Sequence, residues 1–192
     1  MGAPWTREVL RGLSIRADAV RHAGKGITRK ICKEQLGMAA LDPGEYVADR
    51  TLVITREFAA PRRLVFKAWT DPAHAARWGG PRGYTATQMT GDLRPGGRWR
   101  TCLRRDEDGK ELWQGGVYRE VVPMERLVFT FAWDDDRKAG RADMLVTVTF
   151  ADKDGGTEMV FLQQGFAAVP ERDGHRGGWN SSFDRLGELV EG

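Results

Sequence analysis

The sequence predicts an α+β domain: one curved antiparallel sheet of seven strands, with a long C-terminal helix packed on one face. Three observations carry this. Six β-patterned segments follow one another from residue 84 to residue 166, separated by turn residues and not by helical periods, so they join as a meander rather than as βαβ units. A seventh such segment, 52–58, stands ahead of them, with two short helical patterns between. Finally, Trp179, Phe183, Leu186 and Val190 recur at i, i+4, i+7 and i+11, the apolar stripe of a helix of about four turns.

The elements follow in order. Leu52-Val53-Ile54-Thr55-Arg56-Glu57-Phe58 is rich in β-branched residues and reads as a strand. Pro61 stands where a helix can start, and Leu64, Val65, Ala68 and Trp69 share one helical face. Asp71-Pro72 ends that helix and opens a second, Ala73 to Trp78, which stops at Gly79-Gly80-Pro81. Strands are then expected near 84–90, 97–104, 113–121, 126–133, 142–151 and 157–166. The turns between them include Arg94-Pro95-Gly96, Asp106-Glu107-Asp108-Gly109, Pro123-Met124-Glu125 and Asp152-Lys153-Asp154-Gly155-Gly156. Gly177-Gly178 marks the expected entry to the last helix.

Period-two parity sorts each strand into faces. Leu127, Phe129, Phe131 and Trp133 share one; Val146, Val148 and Phe150 share another, and Met159 and Phe161 a third. These make one bulky, aromatic face, which on a curved sheet either packs solid or encloses a cavity. Several polar groups have parities that set them among these apolar residues. Arg56 alternates with Leu52, Ile54 and Phe58; Tyr118 and Glu120 alternate with Gly116; Gln163 continues the line of Met159 and Phe161. The bland alternative for Arg56 and Glu120 is a strand end meeting water. The candidate pocket residues are Arg56, Trp78, Trp99, Tyr118, Glu120, Phe129, Phe131, Phe161, Gln163, His175, Trp179 and Phe183. Trp69 and Trp78 read more as core; Trp99, Phe131 and Trp179 divide evenly between core and pocket.

Composition excludes several functions. Residues 1–50 hold 9 Lys/Arg against 6 Asp/Glu, whereas residues 51–192 hold 21 of each, so the whole excess of +3 lies near the start. A neutral body argues against a phosphate grip, and no nucleic-acid partner is expected. No window approaches the roughly 18 apolar residues of a membrane span. Cys32 and Cys102 form neither a disulfide framework nor a CxxC site, which suits a reducing, cytoplasmic setting. Residues 1–48 read as a basic, flexible extension ahead of a domain at 49–192. Met38, just upstream of the patterned region, is an alternative translation start.

Catalytic motifs are scarce. Ser181 and Ser182 sit on the last helix, where small face residues are common; there is no GxSxG, no metal-ligand spacing among His22, His74 and His175, and no phosphate loop. No metal or cofactor is therefore expected, and no catalytic residue is assigned. His175 reads as a capping or hydrogen-bonding residue, with a ligand contact as the sharper alternative.

Several motifs taken together resemble a known family. They are Arg56-Glu57-Phe58-Ala59-Ala60-Pro61, Val65-Phe66-Lys67-Ala68-Trp69-Thr70-Asp71-Pro72, Trp78-Gly79-Gly80-Pro81, Gly96-Gly97-Arg98-Trp99, Gly116-Val117-Tyr118-Arg119-Glu120, Arg126-Leu127-Val128-Phe129-Thr130-Phe131 and His175-Arg176-Gly177-Gly178-Trp179. Thr51–Gly192 thus resembles the START-like (SRPBCC) superfamily with its helix-grip fold. The branch it looks most like is named after the activator of the ninety-kilodalton heat-shock chaperone's ATPase. The resemblance implies a bacterial protein with a hydrophobic cavity between sheet and C-terminal helix. Relatives bind lipids, hormones or polyketides, and some act as aromatase/cyclases. Similar sequences often carry His where this chain has Gln163, which removes a titratable group from the last strand.

Three readings follow. The first is a non-enzymatic binder of a small hydrophobic or aromatic molecule. The second is a cyclase- or hydratase-like enzyme using Tyr118, Glu120 or Arg56. The third is a co-chaperone-like module with a chaperone partner. A homodimer through edge strands stays open.

Overall fold

The computed structural model describes residues 48–192, so the extension at 1–48 and Met38 fall outside the described residues except for Ala48 itself. A 3-10 turn at Ala48–Arg50 leads into β1, Leu52–Phe58. Next come α1, Arg62–Thr70, and α2, Pro72–Trp78. The chain then runs through β2 (Tyr84–Gly91), β3 (Arg98–Arg105), β4 (Glu111–Val122) and β5 (Arg126–Trp133). A short helix α3 (Asp134–Lys138) precedes β6 (Met144–Lys153) and β7 (Gly156–Gln164), and α4 (Val169–Glu191) ends the domain. All seven strands lie in one antiparallel sheet of order β1-β7-β6-β5-β4-β3-β2. This is the curved seven-strand α+β architecture with a long C-terminal helix that the pattern predicts.

Local chemistry explains the helix boundaries. The Pro61 carbonyl accepts from the Leu64 and Val65 amides (2.8 and 3.2 Å), which starts α1. Asp71 ends α1 and caps α2, its Oδ1 accepting the Ala73 amide at 2.9 Å with Pro72 in the first turn. The Trp78 indole donates to the Ala68 carbonyl at 2.8 Å and locks the two helices together. From α4, the Arg185 guanidinium donates to the Gly80, Tyr84 and Arg77 carbonyls (2.8, 3.2 and 2.9 Å). That clamp fixes the end of α2 against α4, as a cation near a helix C-terminus does.

The aromatic parity face is the core. Leu127, Phe129, Phe131, Val146, Val148, Phe150, Met159 and Phe161 are all buried, and Phe183, Leu186 and Val190 of α4 pack into the same cluster. Phe161 lies 4.5 Å from the Trp179 ring and 5.3 Å from Phe183.

Three features depart from the sequence pattern. First, α4 begins at Val169, ten residues before Trp179, and carries Gly174, Gly177 and Gly178 within it. Each glycine costs a helix roughly 1 kcal/mol relative to alanine. The first turns are held nonetheless, because His175 packs on Phe131, Trp133 and Phe166 (5.6, 6.3 and 5.1 Å). Second, the α3 turn closes a segment for which the pattern predicts no element. Third, a β-bulge shifts the register of β4 between Tyr118 and Glu120.

Among the described residues, no helix is long and apolar enough to cross a membrane.

Candidate ligand-binding site

A cavity of about 110 Å³ lies inside the concave face. Its floor is the half of the sheet made by β2 to β5, which supplies Met89, Trp99, Thr101, Gln114, Tyr118, Phe129 and Phe131. Its roof comes chiefly from α1 and α2, through Trp69, Ala75 and Trp78, whereas α4 contributes Trp179. Leu93, 37% exposed, belongs to the lining and carries the wall out to solvent. The room is of the order of the ~150 Å³ apolar cavity known to hold a benzene ring. Among the described residues, no Asp, Glu, Lys, Arg or His lines it.

A second, smaller chamber of about 40 Å³ lies against α4, lined by Leu103, Trp133, Pro81, His175, Gly178 and Ser182. Gly80, Gln114, Phe131 and Trp179 line both spaces and form their shared wall.

The walls are held by specific contacts. Trp99 and Gly116 are cross-strand partners, and the Trp99 indole donates to the Thr130 carbonyl at 3.1 Å. A Cβ at Gly116 would stand 1.7 Å from that carbonyl oxygen and 2.7 Å from the indole nitrogen, so the position requires glycine. Trp69 donates to the Met159 sulfur at 3.2 Å and stacks on Trp179 at 6.3 Å. The Tyr118 ring meets Phe129 at 5.9 Å, and no described residue hydrogen-bonds its hydroxyl. Burial pushes the Tyr118 phenol above its ordinary range, so it is a neutral O–H at the cavity wall.

His175 is buried beside the smaller chamber. The Trp133 indole donates to its Nε2 at 3.4 Å. Desolvation lowers its pKa to about 4, so the ring is neutral at pH 7. Among the described residues, no cluster of His, Cys, Asp and Glu has the geometry to hold a metal ion.

The chain matches a family model described as activator of Hsp90 ATPase homolog 1-like protein, over residues 59–191. The chain belongs to this family. Solved structures agree. A Chromobacterium violaceum protein, CV1439, is 31% identical with a TM-score of 0.68, the match covering 74% of this chain and 98% of that one. A Rhizobium leguminosarum protein is 32% identical with a TM-score of 0.59, covering 73% and 93%. The AHSA1 protein SPO3351 of Silicibacter pomeroyi is 26% identical with a TM-score of 0.63, covering 72% and 95%. No curated protein matches the chain. The START-like assignment implied by the motifs is thereby shown.

Within this family fold, the sequence-derived pocket residues divide into three groups. Trp78, Trp99, Tyr118, Phe129, Phe131 and Trp179 line the larger cavity, and His175 lines the smaller. Phe161, Phe183 and Gln163 are fully buried behind the wall; Gln163 accepts the Trp179 indole N–H at 2.8 Å and its Nε2 lies 3.4 Å from the Met144 sulfur. Arg56 and Glu120 lie elsewhere. Arg56 donates to Asn180 Oδ1 at 2.7 Å and pairs with Asp184 at 3.5 Å, tying β1 to α4. Glu120 pairs with Arg126 at 2.6 Å, and Arg126 lines a surface groove with Arg62, Asp152 and Glu158. The bulge after Tyr118 is the reason: it sets Glu120 opposite Val128, on the face away from Leu127 and Phe129.

Sequence reasoning missed Met89, Thr101 and Gln114, and it took Trp69 for core although Trp69 lines the cavity. Gln114 carried a signal, since it shares strand parity with Leu112, Gly116 and Tyr118. Met89 did not, because β2 is an edge strand with its own bulge between Ala86 and Gln88.

Proposed function

We propose that this protein binds a small, largely aromatic or hydrophobic molecule in the cavity under α1 and α2. The observation that carries the reading is a cavity of about 110 Å³ walled by aromatic side chains, with Tyr118, Gln114 and Thr101 among its few polar residues and, among the described residues, no charged group. Pockets of this kind, mostly apolar with a few convergent polar groups, are the usual form of a small-molecule site. Apolar contact supplies affinity there, and a few hydrogen bonds supply orientation.

The enzymatic alternative needs an acid and a base facing one another. Arg56 and Glu120 are engaged in ion pairs outside the cavity, which leaves Tyr118 without a charged partner among the residues lining it. The co-chaperone reading rests on the family description alone. Among the described residues, the large exposed apolar side chains are Leu93, Met124 and Val169, in three separate segments.

The test is native mass spectrometry of protein purified gently from its own cell, compared with the same sample denatured. An adduct of a few hundred daltons, lost on denaturation and absent from a Trp99→Arg variant, is the expected result. No adduct, together with no heat-stability gain across a library of neutral aromatic compounds, would overturn the reading.

A further inference from the structure

The two cavities differ in chemistry and share a wall. The larger is aromatic, while the smaller carries His175, Ser182 and the Gln114 amide. The state of His175 follows from its contacts. A neutral imidazole keeps one proton, and its Nε2 receives the Trp133 indole N–H at 3.4 Å, so the proton is on Nδ1. Among the described residues, nothing accepts from that Nδ1–H. Gln114 also has no hydrogen-bond partner for its side-chain amide among the described residues, although it borders both spaces. Ser182 donates its hydroxyl back to the Gly178 carbonyl at 3.0 Å. Two unspent N–H donors thus belong to residues that line the small chamber, and Gly178 lines it with them.

We propose that the two spaces are the two ends of one site: the aromatic body of the ligand occupies the larger cavity, and a neutral acceptor oxygen enters the smaller chamber, where His175 Nδ1–H and the Gln114 amide hold it. This inference rests on the binding reading above and adds the ligand's class, a neutral aryl carbonyl compound. A carboxylate is disfavoured. Among the described residues no lysine or arginine lines either space, and an unpaired buried charge is costly.

Three isosteric probes test it on the full chain by titration calorimetry: acetophenone, α-methylstyrene (a methylene in place of the carbonyl oxygen) and benzoate. His175→Phe removes the donor, His175→Asn returns an N–H close to the Nδ1 position, and Gln114→Leu removes the second donor. The expected result is that acetophenone loses about fivefold in affinity in His175→Phe and in Gln114→Leu, the worth of one neutral hydrogen bond each. In the same variants α-methylstyrene binds as before, and His175→Asn restores acetophenone. Benzoate binds at least about tenfold more weakly than acetophenone, as an uncompensated charge requires. If His175→Phe does not fold, the wild-type protein still decides: acetophenone must move the ¹⁵N signals of His175 Nδ1 and the Gln114 amide, and α-methylstyrene must not. An unchanged acetophenone to α-methylstyrene ratio in both variants, or benzoate binding as tightly as acetophenone, overturns the inference and leaves the binding reading standing. Failure of α-methylstyrene and acetophenone alike to bind removes both.

Discussion

The amide of Gln163 on β7 and the indole of Trp179 on α4 form a closed pair: the indole donates to Gln163 Oε1 at 2.8 Å, and Gln163 has no exposed surface. Since Trp179 borders both cavities, this one hydrogen bond sets the position of their common wall. Gln163→Leu keeps the volume and removes the acceptor. The unpaired indole should cost about 1–3 kcal/mol in urea unfolding. Gln163→His, whose ring nitrogen can accept, should cost less than Gln163→Leu; equal losses would mean that the hydrogen bond is not what holds Trp179.

His175 should make stability depend on pH. Its pKa is about 4 in the folded protein, lowered by burial, against about 6.5 when unfolded. Between those values the unfolded chain binds more protons than the folded one, so stability falls as pH falls. The contribution is fully present above about pH 6.5 and is lost progressively toward pH 4, by roughly 3 kcal/mol. Unfolding free energies of wild type and His175→Asn, measured from pH 7.5 to 4, should converge across that window. Parallel curves would refute a buried neutral imidazole.

Glu120 and Arg126 are each about a third exposed, at 39% and 31% of the side chain, so their ion pair sits in high dielectric. Glu120→Gln should change stability by less than about 1 kcal/mol. Ligand affinity should not change, because the bulge turns this carboxylate away from the cavity. A tenfold loss of affinity would put Glu120 back in the site.

Gly116→Ala should be among the most damaging small substitutions in the domain. The added methyl would meet the Thr130 carbonyl oxygen at 1.7 Å, and that carbonyl is held by the Trp99 indole in a strand paired with β6. Strain of this kind costs about 1–3 kcal/mol or more. Circular dichroism melting should show a lower midpoint, and Trp99 emission should shift as its bond to Thr130 breaks. A melting curve that overlays wild type would show that β4 can yield here.

The legible part of the architecture rests on short-range rules. Alternation along 126–133 assigned Leu127, Phe129, Phe131 and Trp133 to one face, and all four are buried. Asp71-Pro72 marked a helix boundary because an Asx cap and a proline act within three residues. The same rules failed where parity passed through a bulge. Tyr118 and Glu120 are two apart in sequence and on opposite faces in space, since one extra residue in β4 reverses the alternation.

By itself the sequence determined the order of the strands, the aromatic face and the family, all of which depend on residue types at fixed spacing. The tertiary structure decided which aromatic residues enclose space and which fill it. Trp69 lines a cavity and Phe161 does not, although both are large rings on apolar faces, because α1 and α2 bridge the sheet on one side while α4 packs tightly on the other. It also decided the start of α4: glycine propensity opposes a helix at 174–178, and the packing of His175 between Phe131, Trp133 and Phe166 overrides it. Propensity acts over a few residues, whereas packing sums contacts among elements far apart in the chain, and at this site the second outweighs the first.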